Sequence, residues 1–232
     1  NPAAEVDPPK FIGAPMKVLT EAQLDTFMTA IERDEFWHDF FYTAVTTGLR
    51  RGEICALRWE DFDTEQEMLH VRRTLHKEKD KPLTTGDTKT YAGTRKIVLP
   101  PSTAQLLRER KKTAPTEWIF PNPFDPEQPI APGTAYNRLK VLLKEAGLPD
   151  IRFHDLRHTF ATHALSSGVD AKTLAGILGH TKASFTLDTY THTTGDMQKR
   201  AAEIVGGFLT DYLGEEMKPW QSRENTAAAP SV

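Results

Sequence analysis

The heptapeptide His154-Asp155-Leu156-Arg157-His158-Thr159-Phe160 puts two imidazoles and a guanidinium within two turns of a helical pattern. At helical spacing His154 and Arg157 are i and i+3 and share a face. Leu156 and Phe160 are i and i+4 and anchor a neighbouring face in a core. An imidazole beside a guanidinium, fixed by a buried stripe, suits a phosphate or a carboxylate. The plainer alternative is a surface histidine with Arg157 ion-paired to Asp155. His154 and His158 also stand at i and i+4, a spacing found in zinc sites. The glutamate that a His-Glu-x-x-His metalloprotease needs beside its first histidine is absent.

Two further stretches carry candidate chemistry. Thr47-Gly48-Leu49-Arg50-Arg51-Gly52-Glu53 brackets two arginines with glycines at a break between helices. An arginine at a helix start can reach an anion together with free backbone N–H groups; it can equally be a solvated loop charge. The pattern is not a P-loop, because the Gly-Lys-Ser/Thr ending is missing. Glu53 is suited to pair with an arginine and hold its plane. Leu178-Gly179-His180 reads as a helix stop with an imidazole just beyond it. Tyr190 follows ten residues later, within Thr186-Leu187-Asp188-Thr189-Tyr190-Thr191-His192. A lone tyrosine is usually a packing residue, and a phenol of pKa near 10 needs nearby bases or cations before it attacks anything.

Around these stretches the chain of 232 residues reads as α+β, mainly helical with one small three-stranded antiparallel sheet. Thr20 caps a helix carrying Leu24, Phe27, Met28 and Ile31. A second helix spans Phe36 to Val45, interrupted by Thr46-Thr47-Gly48, and a short one follows through Ile54 and Leu57. From Met68 the period falls to two, with Leu69, Val71 and Thr74 in strand fashion. Further strands are expected at Asp87–Tyr91 and Thr94–Leu99, turning at Ala92-Gly93. Helices follow over Thr103–Lys112, Thr134–Ala146, Asp155–Leu165, Ala171–Leu178, Ala183–Tyr190 and Gln198–Leu213. A small strand at Trp118-Ile119-Phe120 and a proline-rich loop, Pro121 to Pro132, lie between the first two. Residues 1–16 read as a lead-in, 17–214 as one domain, and 215–232 as a flexible tail.

The 29 Lys plus Arg against 32 Asp plus Glu give a net charge of −3, which on its own argues against a nucleic-acid partner. The distribution reverses that inference. Residues 68–112 carry 12 basic groups against 4 acidic, while residues 1–49 carry 3 against 8. Local fields matter more than totals for a polyanion. No run of about 18 apolar residues offers a membrane span. The single cysteine, Cys55, cannot form an internal disulfide, and the N-terminal residues lack a signal-peptide pattern, so a cytoplasmic location is expected.

Arg50 in Thr-Gly-Leu-Arg, His154 and Arg157 in His-x-x-Arg-His, His180 in Leu-Gly-His and Tyr190 in Leu-Asp-Thr-Tyr resemble, in order, the active-site set of the tyrosine recombinases, the phage integrase family. Lys89, within Thr88-Lys89-Thr90-Tyr91-Ala92-Gly93-Thr94-Arg95-Lys96-Ile97, matches that family's hairpin lysine; Lys96 and Lys81 are nearby competitors. The resemblance runs from about Leu19 to Ala202 and is closest to integrases of conjugative transposons and prophages. It implies metal-independent DNA cleavage and rejoining, with no cofactor. Tyr190 would attack a scissile phosphate to give a 3′-phosphotyrosyl link. Arg50 and Arg157, assisted by His180, would bind the charge of the pentacoordinate phosphate. His154 would accept the tyrosine proton, and Lys89 would protonate the leaving 5′-oxygen.

The same resemblance implies double-stranded DNA as partner, a homotetramer of the full-length protein on it, and association with a bacterial nucleoid. Family members usually carry a helical core-binding domain ahead of this one, so the chain looks like the catalytic half. The apolar stripe at about residues 196–213 fits docking on its own domain or on a neighbouring subunit. Two alternatives remain: a type IB-like topoisomerase with the same phosphotyrosine chemistry, and an inactive DNA-binding module of the same fold.

Overall fold

The structure, a computed structural model, describes residues 16–77, 82–87, 93–180, 184, 186, 199, 203 and 204. By contact density the chain divides into residues 1–192 and 193–232. Every element named below lies in the first unit. Of the second, Lys199, Glu203 and Ile204 have helical backbone, within the helix expected there.

The first helices form where the local signals place them. Helix α1 (Glu21–Ile31) starts with a reciprocal cap: Thr20 Oγ1 accepts from the Gln23 N–H at 3.3 Å, and the Gln23 side chain accepts from the Thr20 N–H at 3.1 Å. Helix α2 (Glu35–Thr47) is capped by Asp34, which accepts from the Trp37 N–H at 3.2 Å. It runs past the expected end at Val45 because Gly48, at φ 62°, is the first residue free to take the left-handed stop. Helix α3 (Arg51–Cys55) follows after three residues. A Cβ on Gly52 would stand 2.4 Å from Thr74 Oγ1 and 2.6 Å from the Leu75 carbonyl, so α3 meets the following strands at backbone distance.

The expected three-stranded antiparallel sheet is present, with one unforeseen member. Its order is β1 (Phe62–Asp63), β2 (Met68–Val71), β5 (Arg95–Val98), with Phe62 opposite Leu69 and Leu69 opposite Ile97. The strand starting at Met68 does not run on in this sheet. After Arg72 it becomes β3 (Arg73–His76) and pairs with β4 (Thr84–Asp87) instead. Arg73, not Thr74, continues the inward parity of Leu69 and Val71, and it is accommodated there by Asp61 at 2.7 Å. Of the strand expected at Asp87–Tyr91 only Asp87, the last residue of β4, is described; pairing of His76 with Thr84 starts β4 earlier, and residues 88–92 lie outside the described residues.

Helix α4 (Pro101–Lys112) follows β5. Trp118 makes only an isolated bridge to Arg58, and the proline-rich loop contains a small hairpin, β6 (Pro121–Asn122) with β7 (Asp125–Pro129). A two-stranded hairpin tolerates prolines because each strand has an unpaired edge. Helix α5 (Pro132–Glu145) starts two residues earlier than expected, with Pro132 in its first turn. Helices α6 (Phe153–Ser166) and α7 (Ala171–Leu178) complete the described elements.

The core centres on α2. Phe40 is fully buried, and its ring centroid lies 5.4 Å from Trp37, 5.2 Å from Phe120 and 6.1 Å from Phe153. Edge-to-face pairs of this kind add about 0.5–1.5 kcal/mol each beyond burial. Together they fix α2, the segment before β6, and the start of α6. Phe40→Ala should cost about 3–5 kcal/mol in urea unfolding. Phe124→Ala, at a ring 93% exposed, should stay within about 0.5 kcal/mol of the parent. A Phe40→Ala cost below 1 kcal/mol would contradict this packing.

Candidate active site

Helix α7 begins on Asp170, which accepts from the N–H groups of Lys172 and Thr173, and ends at Gly179 with φ 67°. The last carbonyls of a helix have no intrahelical donor and carry its negative dipole end. Three guanidinium groups from elsewhere in the chain fill that place. Arg95 Nε donates to the Ile177 carbonyl at 2.6 Å, Arg157 Nη2 to that of Leu178, and Arg50 Nη2 to that of Gly179 at 3.3 Å. Arg95 comes from β5, Arg157 from α6, and Arg50 from the corner between α2 and α3.

A single buried carboxylate ties two of them together. Glu53 receives a two-pronged bond from Arg95 at 3.0 and 2.9 Å and accepts from Arg50 Nη1 at 2.7 Å. It also accepts from the Arg50 backbone N–H at 2.8 Å, which caps α3. Burial would raise the Glu53 carboxyl, but the bonds and charge of Arg95, then the charge of Arg50, outweigh it and hold it at about 2. Arg157 is 1% exposed and donates through Nη1 to the Gly48 carbonyl at 2.9 Å. A Cβ on Gly48 would fall 2.4 Å from Phe160 Cδ1, so glycine is required here for packing as well as for its positive φ.

The imidazoles sit among these cations. His180 Nε2 lies 3.0 Å from Arg157 Nη2, and Nδ1 lies 2.8 Å from Thr186 Oγ1. Partial burial, followed by the charges of Arg157 and Arg50, lowers His180 to about 4. His154, on the exposed edge of α6, meets His158 edge-on at 4.6 Å between ring centroids. Burial and then the charges of Arg157 and Arg50 lower it too, and burial followed by His154 lowers His158 to about 4. All three are therefore neutral at pH 7. Among the described residues no third ligand joins His154 and His158 in a metal-binding group.

Of the six site residues expected from sequence, Arg50, His154, Arg157 and His180 are thus within one another's electrostatic reach. Lys89 and Tyr190 lie outside the described residues, as does Lys81. Lys96 is exposed on the face of β5 opposite Arg95. Glu53 pairs as expected, with two arginines rather than one. Arg95 and Thr186 were not foreseen. Strand parity could have found Arg95, since it shares the inward face of β5 with Ile97; Thr186 left no signal beyond its place between His180 and Tyr190.

Among the described residues, part of the basic stretch is spent inside the fold. Arg73, Arg95, Arg108 and Arg110 are all ion-paired within the fold, to Asp61, Glu53, Glu67 and Asp39. What adjoins the site instead is an open groove of about 920 Å³, lined by Arg50, Arg51, His76, Lys77 and Asn137 among others.

Because folding lowers His158 and His180 from 6.5 to about 4, the unfolded chain binds protons more readily over that interval. Stability should be fully present above pH 6.5 and lost as the pH falls toward 4. Glu53, lowered from 4.5 to about 2, adds a further loss below pH 4.5. Urea midpoints measured from pH 8 to 4 should fall below pH 6.5, and less steeply in His180→Asn. A midpoint flat across this range would contradict the neutral cluster.

Residues 17–196 match the phage integrase family. The chain is 33% identical over 193 residues to a "Tyrosine recombinase XerC-like" protein of Caldanaerobacter subterraneus, covering 71% of this chain and 48% of that protein. It is 28% identical to the transposase from transposon Tn916 of Enterococcus faecalis, covering 78% of this chain and 49% of the relative. The chain spans about half the length of the curated relatives it matches. Among solved structures, the Tn1549 transposon integrase in complex with transposon right end DNA superposes with a TM-score of 0.72 at 25% identity, over 84% of this chain and 67% of that one. A XerA recombinase shares the fold with a TM-score of 0.66 at 20% identity, over 82% of this chain and 66% of that one. On the match over residues 17–196, which covers the convergence of Arg50, Arg157 and His180, the chain belongs to the phage integrase family, the tyrosine recombinases.

Proposed function

We propose that the chain is the catalytic region, residues 17–214, of a site-specific DNA recombinase of the kind that integrates and excises mobile elements. The observation that carries this reading is the convergence of Arg50 and Arg157 on one helix end, with His180 held against Arg157. Two permanent charges and a neutral imidazole suit the non-bridging oxygens of a phosphodiester.

In the proposed reaction the Tyr190 phenol attacks the scissile phosphorus, and its proton passes to His154, which is neutral and therefore able to accept it. The bond from phosphorus to the 5′-oxygen breaks, and Lys89 protonates that oxygen. The resulting 3′-phosphotyrosyl link preserves the phosphodiester for rejoining when a 5′-hydroxyl attacks in the reverse sense. Arg50 and Arg157 supply the positive charge that a metal ion supplies in many phosphoryl transfers. The scheme thus calls on no metal and no cofactor, and adduct formation should persist in chelator. The proposed setting is the bacterial cytoplasm at the nucleoid. The full-length protein would act there as a tetramer on double-stranded DNA.

Tyr190→Phe should retain DNA binding yet form no covalent complex on a nicked suicide duplex. A normal adduct in that variant would refute the nucleophile. Lys89→Ala should slow cleavage strongly on ordinary DNA and much less on a 5′-bridging phosphorothiolate, whose leaving group needs no proton. Equal impairment on both would move the acid elsewhere.

Binding to duplex DNA should weaken linearly in log–log form with salt, at a slope of about −0.9 per phosphate contacted. Arg51→Ala and Lys77→Ala, from the groove beside Arg50, should each reduce that slope by about 1 if the groove holds the backbone. An unchanged slope in both would place the backbone elsewhere.

A further inference from the structure

Among the described residues His180 lies between two unlike neighbours, Arg157 and Thr186. The Arg157 guanidinium can only donate hydrogen bonds, so Nε2, 3.0 Å from it, must be the acceptor. A neutral imidazole with Nε2 accepting carries its proton on Nδ1, and that N–H then donates to Thr186 Oγ1 at 2.8 Å. Thr186 is fully buried, so its hydroxyl has a fixed location and little competition from water.

This arrangement is the wrong one for an imidazole that must donate from Nε2 to a phosphate oxygen. Protonating the ring would provide that donor, but the groups around it oppose the charge. Among the described residues Arg157 and His154 face it from α6, Arg50 from the corner before α3 and Arg95 from β5, with the Glu53 carboxylate bound to the last two. The neutral route is a change of tautomer: solvent water takes the proton from Nδ1 and returns one to Nε2, and the net charge is unchanged. Nδ1 then becomes an acceptor and needs a donor where an acceptor stood before. A hydroxyl can serve both states by rotating its hydrogen; a carbonyl or carboxylate could serve only the first.

We propose that Thr186 is a positioning residue for His180, its hydroxyl accepting from Nδ1–H while Nε2 accepts from Arg157 and donating to Nδ1 when an oxyanion engages Arg157 and Nε2. The inference rests on the recombinase reading only for what the oxyanion is; the tautomer set by Arg157 stands apart from it. In sequence Thr186 lies six residues after His180 and four before Tyr190. The same bond therefore ties the start of the segment that carries the proposed nucleophile to the ring.

The test is nitrogen NMR of the full chain with ¹⁵N-labelled histidine at pH 7.5, with inorganic phosphate as the oxyanion, beside cleavage of a nicked suicide duplex. The parent should show His180 protonated at Nδ1 when free and at Nε2 with phosphate. Thr186→Val, which keeps the shape and removes the hydroxyl, should lose the single tautomer and cleave about 10–100-fold more slowly, the usual scale for a lost orienting partner. Thr186→Ser should restore both properties. A Thr186→Val protein that keeps the Nδ1–H form and its phosphate response would overturn the proposal, as would failure of Thr186→Ser to rescue. If the tautomer change follows Thr186 as expected but no variant, the parent included, forms an adduct, the positioning role stands and the recombinase reading falls.

Discussion

The carbonyls of Ile177, Leu178 and Gly179 at the end of α7 and the Glu53 carboxylate hold the guanidinium groups of the site in place. A helix leaves its final carbonyls unsatisfied wherever it ends; here the end faces inward, onto β5, α6 and the α2–α3 corner. Each cation placed there gains roughly 0.3–1 kcal/mol from the dipole, and up to about 2 kcal/mol when partly buried. Three guanidinium groups so close would otherwise repel one another. Strand β5, helix α6 and the corner after Gly48 are thus held to a common point by the residues that make up the site, so fold and site are not separable here.

The site is assembled from a device that occurs three times among the described residues. At Arg50 and Glu53, at Arg58 and Asp61, and at Arg152 and Asp155, an acidic side chain accepts from the backbone N–H of an arginine three residues earlier and caps a helical turn. Asp155 also receives the Arg152 side chain, while Arg58 turns to Glu117 and lies over the Trp118 ring. A second arginine reaches the carboxylate at Asp61 (Arg73) and at Glu53 (Arg95), but of the two only Arg95 also reaches the end of α7. A common local motif becomes part of a site through one contact that is distant in sequence.

Much of this was legible before folding. The helices were marked by their caps and apolar spacing, and α1 and α7 lie where Thr20, Asp170 and Gly179 put them. Arg50, His154, Arg157 and His180 could be picked out because each sits in a short pattern with its own physical logic. The strands were read less well. A four-residue strand carries little periodicity, and the break at Arg72 depends on Asp61, which lies outside the strand. The charge count over residues 68–112 says less, for a related reason. Composition counts charges but not their partners, and Arg73, Arg108 and Arg110 find theirs in Asp61, Glu67 and Asp39, three residues scattered along the chain. Thr186 is the extreme case, since a hydroxyl acquires a role only from the ring opposite it.

Four groups press positive charge or a suppressed imidazole into the space around His180, and Glu53 offsets only part of it. Like charges so close are unfavourable to one another, and any anion seated among them relieves that repulsion. Occupancy then becomes a thermodynamic stabiliser of the whole domain, since a ligand that binds only the folded form raises its stability by mass action. Phosphate or sulfate in a storage buffer should make the protein sturdier, and heparin should protect it while blocking the groove. The melting temperature of this domain is therefore a gauge of what is bound at the end of α7.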